Sequence, residues 1–187
     1  MPRITLSKEL KEALSDLPDR EKDKLIYRLL PKDGKLVDRL IFQLLEQGAT
    51  LEDRREELKD EIERRMARYP GQYYSPGYLH IELREISGRI TYHKDVTGDK
   101  FGEVELNYLM IAEITSRNFD YLKEEGYFAI RKWGEYVIKR LQKLEKLSAK
   151  LHEDYLLEFE EYAETVADLL PRIPALQNII KEFGWQP

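Results

Sequence analysis

The apolar residues of this chain recur at helical spacing along most of its length, and the pattern is plainest in an octapeptide that occurs twice. Asp23-Lys24-Leu25-Ile26-Tyr27-Arg28-Leu29-Leu30 matches Asp38-Arg39-Leu40-Ile41-Phe42-Gln43-Leu44-Leu45 position by position, fifteen residues apart. Apolar pairs at i, i+1, i+4 and i+5 form one broad stripe on a 3.6-residue period, so each copy predicts an amphipathic helix. Between the copies, Pro31 and Gly34 break the helix and Asp33 is placed to cap the next one, which predicts an antiparallel hairpin. Upstream, Ser7 is placed to cap a short helix through Leu14, and Asp19 to cap the first repeat helix. Downstream, Thr50 with Asp53 imitates a capping box and opens a helix to about Arg68. Its apolar positions, Leu51, Leu58, Ile62, Met66 and Tyr69, make only a narrow stripe.

The paired octapeptide helices resemble the helical hairpins of HEAT-type repeats, and that resemblance implies an N-terminal hairpin array. Residues 69–78, Tyr-Pro-Gly-Gln-Tyr-Tyr-Ser-Pro-Gly-Tyr, combine turn formers with four tyrosines and suggest a boundary between lobes 1–70 and 71–187 of one domain. Ser75 and Pro76 then suit the cap and first turn of a helix carrying Leu79, Leu83, Ile86, Ile90 and His93. A β-hairpin reading competes, because Ile90-Thr91-Tyr92 and Glu103-Val104-Glu105-Leu106 flank a Thr97-Gly98-Asp99-Lys100 turn. The helical period spans five positions against short alternation, so helix is the expectation, with a further helix from about Glu103 to Lys123.

The C-terminal part carries a heptad seam: Tyr127, Ile130, Gly134, Val137, Leu141, Leu144, Ser148 and Leu151 alternate at spacings of three and four. The phase slips near Tyr155 and continues as Phe159, Tyr162, Val166 and Leu169. One helix over 126–170 would be about 66 Å long at 1.5 Å per residue. A compact chain of this length has a diameter of only about 40 Å. Either the helix breaks around Leu151-His152-Glu153, or the molecule is elongated, or a second copy covers the overhang. Pro171 and Pro174 end the run. The expected fold is all-α with about eight helices, N-terminal hairpins packing on a C-terminal lobe built around the heptad helix.

Composition narrows the function classes. The 187 residues are 36% charged, against roughly a quarter in an average domain, and such charge coats exposed helix faces. A formal net charge of −5 disfavours a generic phosphate-backbone binder. The absence of cysteine removes disulfides, thiol nucleophiles and thiolate metal sites. No apolar run is long enough for a membrane span, and the first residues lack a signal-peptide core, so a cytoplasmic location without membrane attachment is expected.

Three constellations are candidates for function. Residues 126–150 hold seven basic groups while 151–170 hold seven acidic ones and no lysine or arginine. Within the basic half, Lys139, Lys143, Lys146 and Lys150 share one helical face. Such a stripe suits an acidic protein partner or a nucleic-acid backbone; the plainer reading is a solvated face paired with nearby acids, and nucleic acid is not the expected partner. Second, Glu52, Asp53 and Glu56 precede Glu82 and Glu85 at i, i+3 and i+4 spacings, the arrangement with which carboxylates hold magnesium against a triphosphate. This is similar to the EExxE and ExxD motifs of the all-α nucleoside triphosphate pyrophosphohydrolases, although Asp53 and Glu85 depart from them. The resemblance implies a magnesium-dependent hydrolase using Glu52, Glu56, Glu82 and Glu85. Third, Tyr73 and Tyr74 offer apolar area with a polar tip, suited to a partner surface or to sealing a junction between lobes. His80, His93 and His152 are scattered, and His93 is expected to be a satisfied core residue. The leading expectation is a non-enzymatic helical binding or assembly module, with no cofactor, acting on a protein partner or on itself.

Overall fold

The structure is a computed structural model, and it describes residues 5–66 and 75–186. It is all-α: ten α-helices and a few single turns of tighter or wider helix, with no strand among the described residues. The chain divides into two compact units, Met1–Gln47 and Gly48–Pro187. The tyrosine-rich boundary expected at 69–78 falls largely outside the described residues.

The first unit contains α1 (Lys8–Ser15), α2 (Asp19–Leu29) and α3 (Gly34–Leu40). Ser7 caps α1 by accepting from the Leu10 amide at 3.2 Å, and Asp33 caps α3 by accepting from the Leu36 amide at 3.1 Å. At α2 the cap position is Pro18, so Asp19 lies inside the first turn, where its charge faces the positive end of the helix dipole. The second octapeptide does not stay α-helical. After Leu40 the backbone widens into a π turn over Ile41–Leu45, then ends at Gln47 and Gly48, both with positive φ. Phe42 is the only buried apolar side chain among the described residues of this unit.

The second unit comprises α4 (Leu51–Met66), α5 (Pro76–Thr97), α6 (Lys100–Arg117), α7 (Phe119–Glu124), α8 (Tyr127–Ser148), α9 (Glu160–Leu169) and α10 (Gln177–Phe183). The helical reading of 88–106 is the observed one: α5 runs straight to Thr97, and Gly98, at φ +79°, turns the chain into α6. Only glycine takes that left-handed conformation without cost. α6 packs against α4, α5, α8 and α9. All but four of its 18 residues (Lys100, Glu113, Ser116 and Arg117) are buried, Glu103, Glu105 and Asn107 among them, as expected of a helix with neighbours on every side. Each fully buried leucine or isoleucine here contributes about 1.5–3 kcal/mol by leaving water.

The C-terminal seam resolves in favour of a break. α8 stops at Ser148, the chain turns through residues 149–159, and α9 starts at Glu160. The seam itself is spent inside the unit. Ile130, Val137, Leu141 and Leu144 are buried in the same core as residues of α5, α6 and α10, so they are not available to a second copy. Gly134 permits one of these contacts: the Pro174–Leu176 turn and α10 lie so close that a Cβ at Gly134 would overlap Leu176 and stand 3.0 Å from Ile179.

Candidate functional site

The four glutamates of the magnesium reading are divided between the two ends of α4. Glu52 pairs with Arg55 at 3.1 Å and Glu56 with Lys59 at 2.9 Å, both on their own helix. Glu82 and Glu85 of α5 both engage Arg65, Glu85 at 2.7 Å. Arg55 and Arg65 are ten residues apart, about 15 Å along the helix axis. Among the described residues no group of three or more histidine or carboxylate side chains is arranged to hold a metal ion.

The lysine stripe is likewise mixed. Lys143 pairs with Glu103 of α6 at 2.7 Å, and Lys139 pairs with Glu135 at 3.6 Å while its ammonium stands over the Phe183 ring. Lys146 and Lys150 are exposed. Tyr73 and Tyr74 lie outside the described residues.

The densest polar feature is one that the spacing of residues does not announce. Asp99, the residue after the Gly98 turn, caps α6 by accepting from the Gly102 amide at 2.8 Å. Its other oxygen accepts from Arg55 Nε of α4 at 2.9 Å and lies 3.2 Å from His93 Nε2 of α5. One buried carboxylate therefore ties three helices together. Beside it, Glu105 of α6 pairs with Lys59 at 2.8 Å through one oxygen, while Oε2 has no hydrogen-bond partner and lies 3.9 Å from Arg55. His93 also lines a cleft of about 360 Å³ between α4 and α5, with Arg54, Leu58, Tyr92, Val96 and Thr97 around it. The Thr97 hydroxyl, one turn after the histidine, donates to the His93 carbonyl at 2.8 Å and accepts from the Asp99 amide at 3.2 Å. Its geometry is that of a helix-end cap, and the Asp99–His93 pair acts here as an anchor.

The electrostatics of the knot set an acid dependence. Burial alone would raise the Asp99 pKa, but His93, the Gly102 amide and Arg55 outweigh it and hold the carboxyl below its ordinary value of 3.8. A carboxylate with a depressed folded pKa contributes stability that is complete above its unfolded pKa and is lost as pH falls through the folded one. Burial pushes Glu105 the other way, against the pull of Lys59 and Arg55, so its contribution is present below its unfolded pKa and lost as pH rises. Thermal melts followed down from about pH 6 should therefore lose stability below about pH 4. Asp99→Asn should flatten that acid limb while lowering stability at neutral pH.

Two further surfaces stand out. In the first unit the octapeptide copies leave apolar side chains in solvent: Tyr27 is 71% exposed and Leu45 76%, with Ile26, Leu29 and Leu44 also exposed. In the second unit, the His80 ring of α5 packs at a tilt against Tyr136 of α8 with ring centroids 5.1 Å apart, and Arg140 donates to Ser87 and, at 2.8 Å, to the Tyr136 hydroxyl. Burial first, then the nearby charges of Arg84 and Lys132, push the His80 pKa down. The α5/α8 face thus gathers cations that the lysine stripe did not include; sequence reasoning followed one helix and missed a cluster shared by two.

No protein-family model matches this chain, and no curated protein or solved structure matches it either.

Proposed function

We propose that this chain is a non-enzymatic helical binding or assembly module that works through protein–protein contacts. The observation that supports the reading is the first unit's exposed apolar surface, formed by the repeated octapeptide. A short helical unit with one buried apolar side chain among its described residues gains little from its own core, while exposed leucine, isoleucine and tyrosine suit burial against a partner. No helix among the described residues is long and apolar enough to cross a membrane. The hydrolase and nucleic-acid readings gain no comparable support: the glutamates of the first are taken up by arginine and lysine at separate ends of α4, and two lysines of the second are paired within the fold.

The test is a tagged copy purified in mild salt, with the intact complex weighed and its components identified. Wild type should carry a stoichiometric partner or a second copy. Leu29→Asp with Leu45→Asp should weaken that association at least about tenfold, since buried apolar anchors dominate interface energies. Both positions are exposed, so the melting behaviour of the second unit should be unchanged. A wild-type chain that remains a lone monomer, or a variant that binds as well as wild type, would remove the reading.

A further inference from the structure

We infer that the second unit binds a second copy of this chain by pairing the basic α5/α8 face of one molecule with the acidic 153–164 segment of the other. The inference rests on the reading of the chain as an assembly module, and adds the partner and the surface.

Three cations of the basic face have no ion pair among the described residues. Arg84 and Lys132 are exposed and make no ion pair among the described residues, and half-buried Arg140 bonds only to the neutral Ser87 and Tyr136 oxygens. All three are near the His80–Tyr136 ring pair. Neighbouring cations are accounted for: Arg131 and Lys139 share Glu135, and Arg89 takes Glu61. The face also has exposed apolar side chains, Phe128 at 91% one turn before Lys132 and Ile81 one turn before Arg84.

The acidic segment has the opposite character. Glu153, Glu158, Glu160, Glu161 and Glu164 are all exposed and make no ion pair among the described residues; within residues 153–168 the carboxylates with a basic side chain beside them are Asp154, near the His152 ring, and Asp168, with Arg172. Leu157 at 73% exposure and Leu156 stand among them. Each surface therefore offers exposed apolar side chains beside charges of one sign that have no ion pair among the described residues, while the carboxylates nearest the basic face, Glu85 and Glu135, are taken by Arg65, Arg131 and Lys139.

Charge complementarity between two surfaces of one chain points to another copy. A net charge of −5 repels at long range, but at ordinary salt that repulsion is screened beyond about 8–10 Å, whereas opposed patches in contact are not. The two patches are on different helices, so joining one to the other is a heterologous contact, which continues from copy to copy or closes as a ring.

Sedimentation equilibrium of the full chain tests this directly. At roughly 0.05 M salt the average mass should exceed the monomer and rise with concentration; at roughly 0.5 M the association should weaken at least about tenfold. The double variant Arg84→Glu/Lys132→Glu and the triple variant Glu160→Lys/Glu161→Lys/Glu164→Lys should each remain monomeric alone. Mixed together they should associate again, because every acidic surface then meets a basic one. Recovery on mixing excludes misfolding as the cause of either loss. A wild type monomeric at low salt overturns the inference, as does failure of the mixed variants to associate. Association that resists salt and both charge reversals, yet is lost in Leu29→Asp/Leu45→Asp, overturns it while leaving the assembly reading intact. A monomer that also captures no other protein overturns both.

Discussion

Asp99→Ala is expected to destabilise the second unit by about 3–5 kcal/mol, because it leaves the Arg55 guanidinium buried beside a cavity instead of a carboxylate. Arg55 and Asp99 have side chains only 9% and 4% exposed, so water cannot replace the lost partner cheaply. Glu52 still holds one guanidinium nitrogen, but from a largely solvated position. The substitution also removes the oxygen that accepts from the Gly102 amide, and losing such a cap costs about 1 kcal/mol by itself. Urea unfolding at neutral pH, followed by far-ultraviolet circular dichroism, measures the loss. Arg55→Met in the same background should return part of it, since the penalty belongs to the stranded charge. A cost under about 1 kcal/mol would mean that the knot is solvated and its charges nearly indifferent to one another.

Gly134→Leu is expected to cost about 3 kcal/mol, at the upper end of the range for overpacking a core. The space that even a methyl group would need is filled by Leu176 and approached by Ile179, both fully buried, so neither can swing into solvent. Glycine is an unfavourable residue inside a helix by about 1 kcal/mol relative to alanine, and here that cost admits the Pro174–Leu176 turn against α8. Leu176→Ala tests the cause. In wild type it should destabilise by creating a cavity; in the Gly134→Leu background it should do much less harm, or help. Additive losses across the cycle would refute the close-contact explanation.

Periodicity in the residues was a sound guide to which segments are helical and a poor one to what their faces meet. Ser7, Asp33 and Ser75 are legible as caps because capping needs a local oxygen at a fixed offset, and all three act as caps. The α5 stripe over Leu79, Leu83, Ile86, Ile90 and His93 is buried throughout. A stripe, however, states that a face is apolar and leaves its cover open. The heptad seam of α8, which suggested a partner helix, is covered by the chain's own α6 and C-terminal turn; the octapeptide stripe, which suggested a packed hairpin, is the one left in solvent. The break after Ser148 was foreshadowed by length and by the phase slip near Tyr155, since no proline or glycine marks residues 149–159. The Asp99 knot was out of reach for a different reason. A Thr-Gly-Asp-Lys turn can be read locally, but Arg55 is 44 residues away, and nothing local pairs them.

The carboxylates on α6 and at its cap do more than add or subtract stability. A helix surrounded by apolar neighbours can rotate or slide among settings of similar packing energy, and such degeneracy yields a loose ensemble. Around α6 the choice is narrowed by three charges that each answer to a different neighbour: Asp99 to Arg55 and His93, Glu105 to Lys59, and Glu103 to Lys143. Turning α6 by one position would bury all three away from their cations at once. The polar residues inside this core thus define a register, a keyed fit between α6 and the helices α4, α5 and α8 that oil alone would leave unspecified.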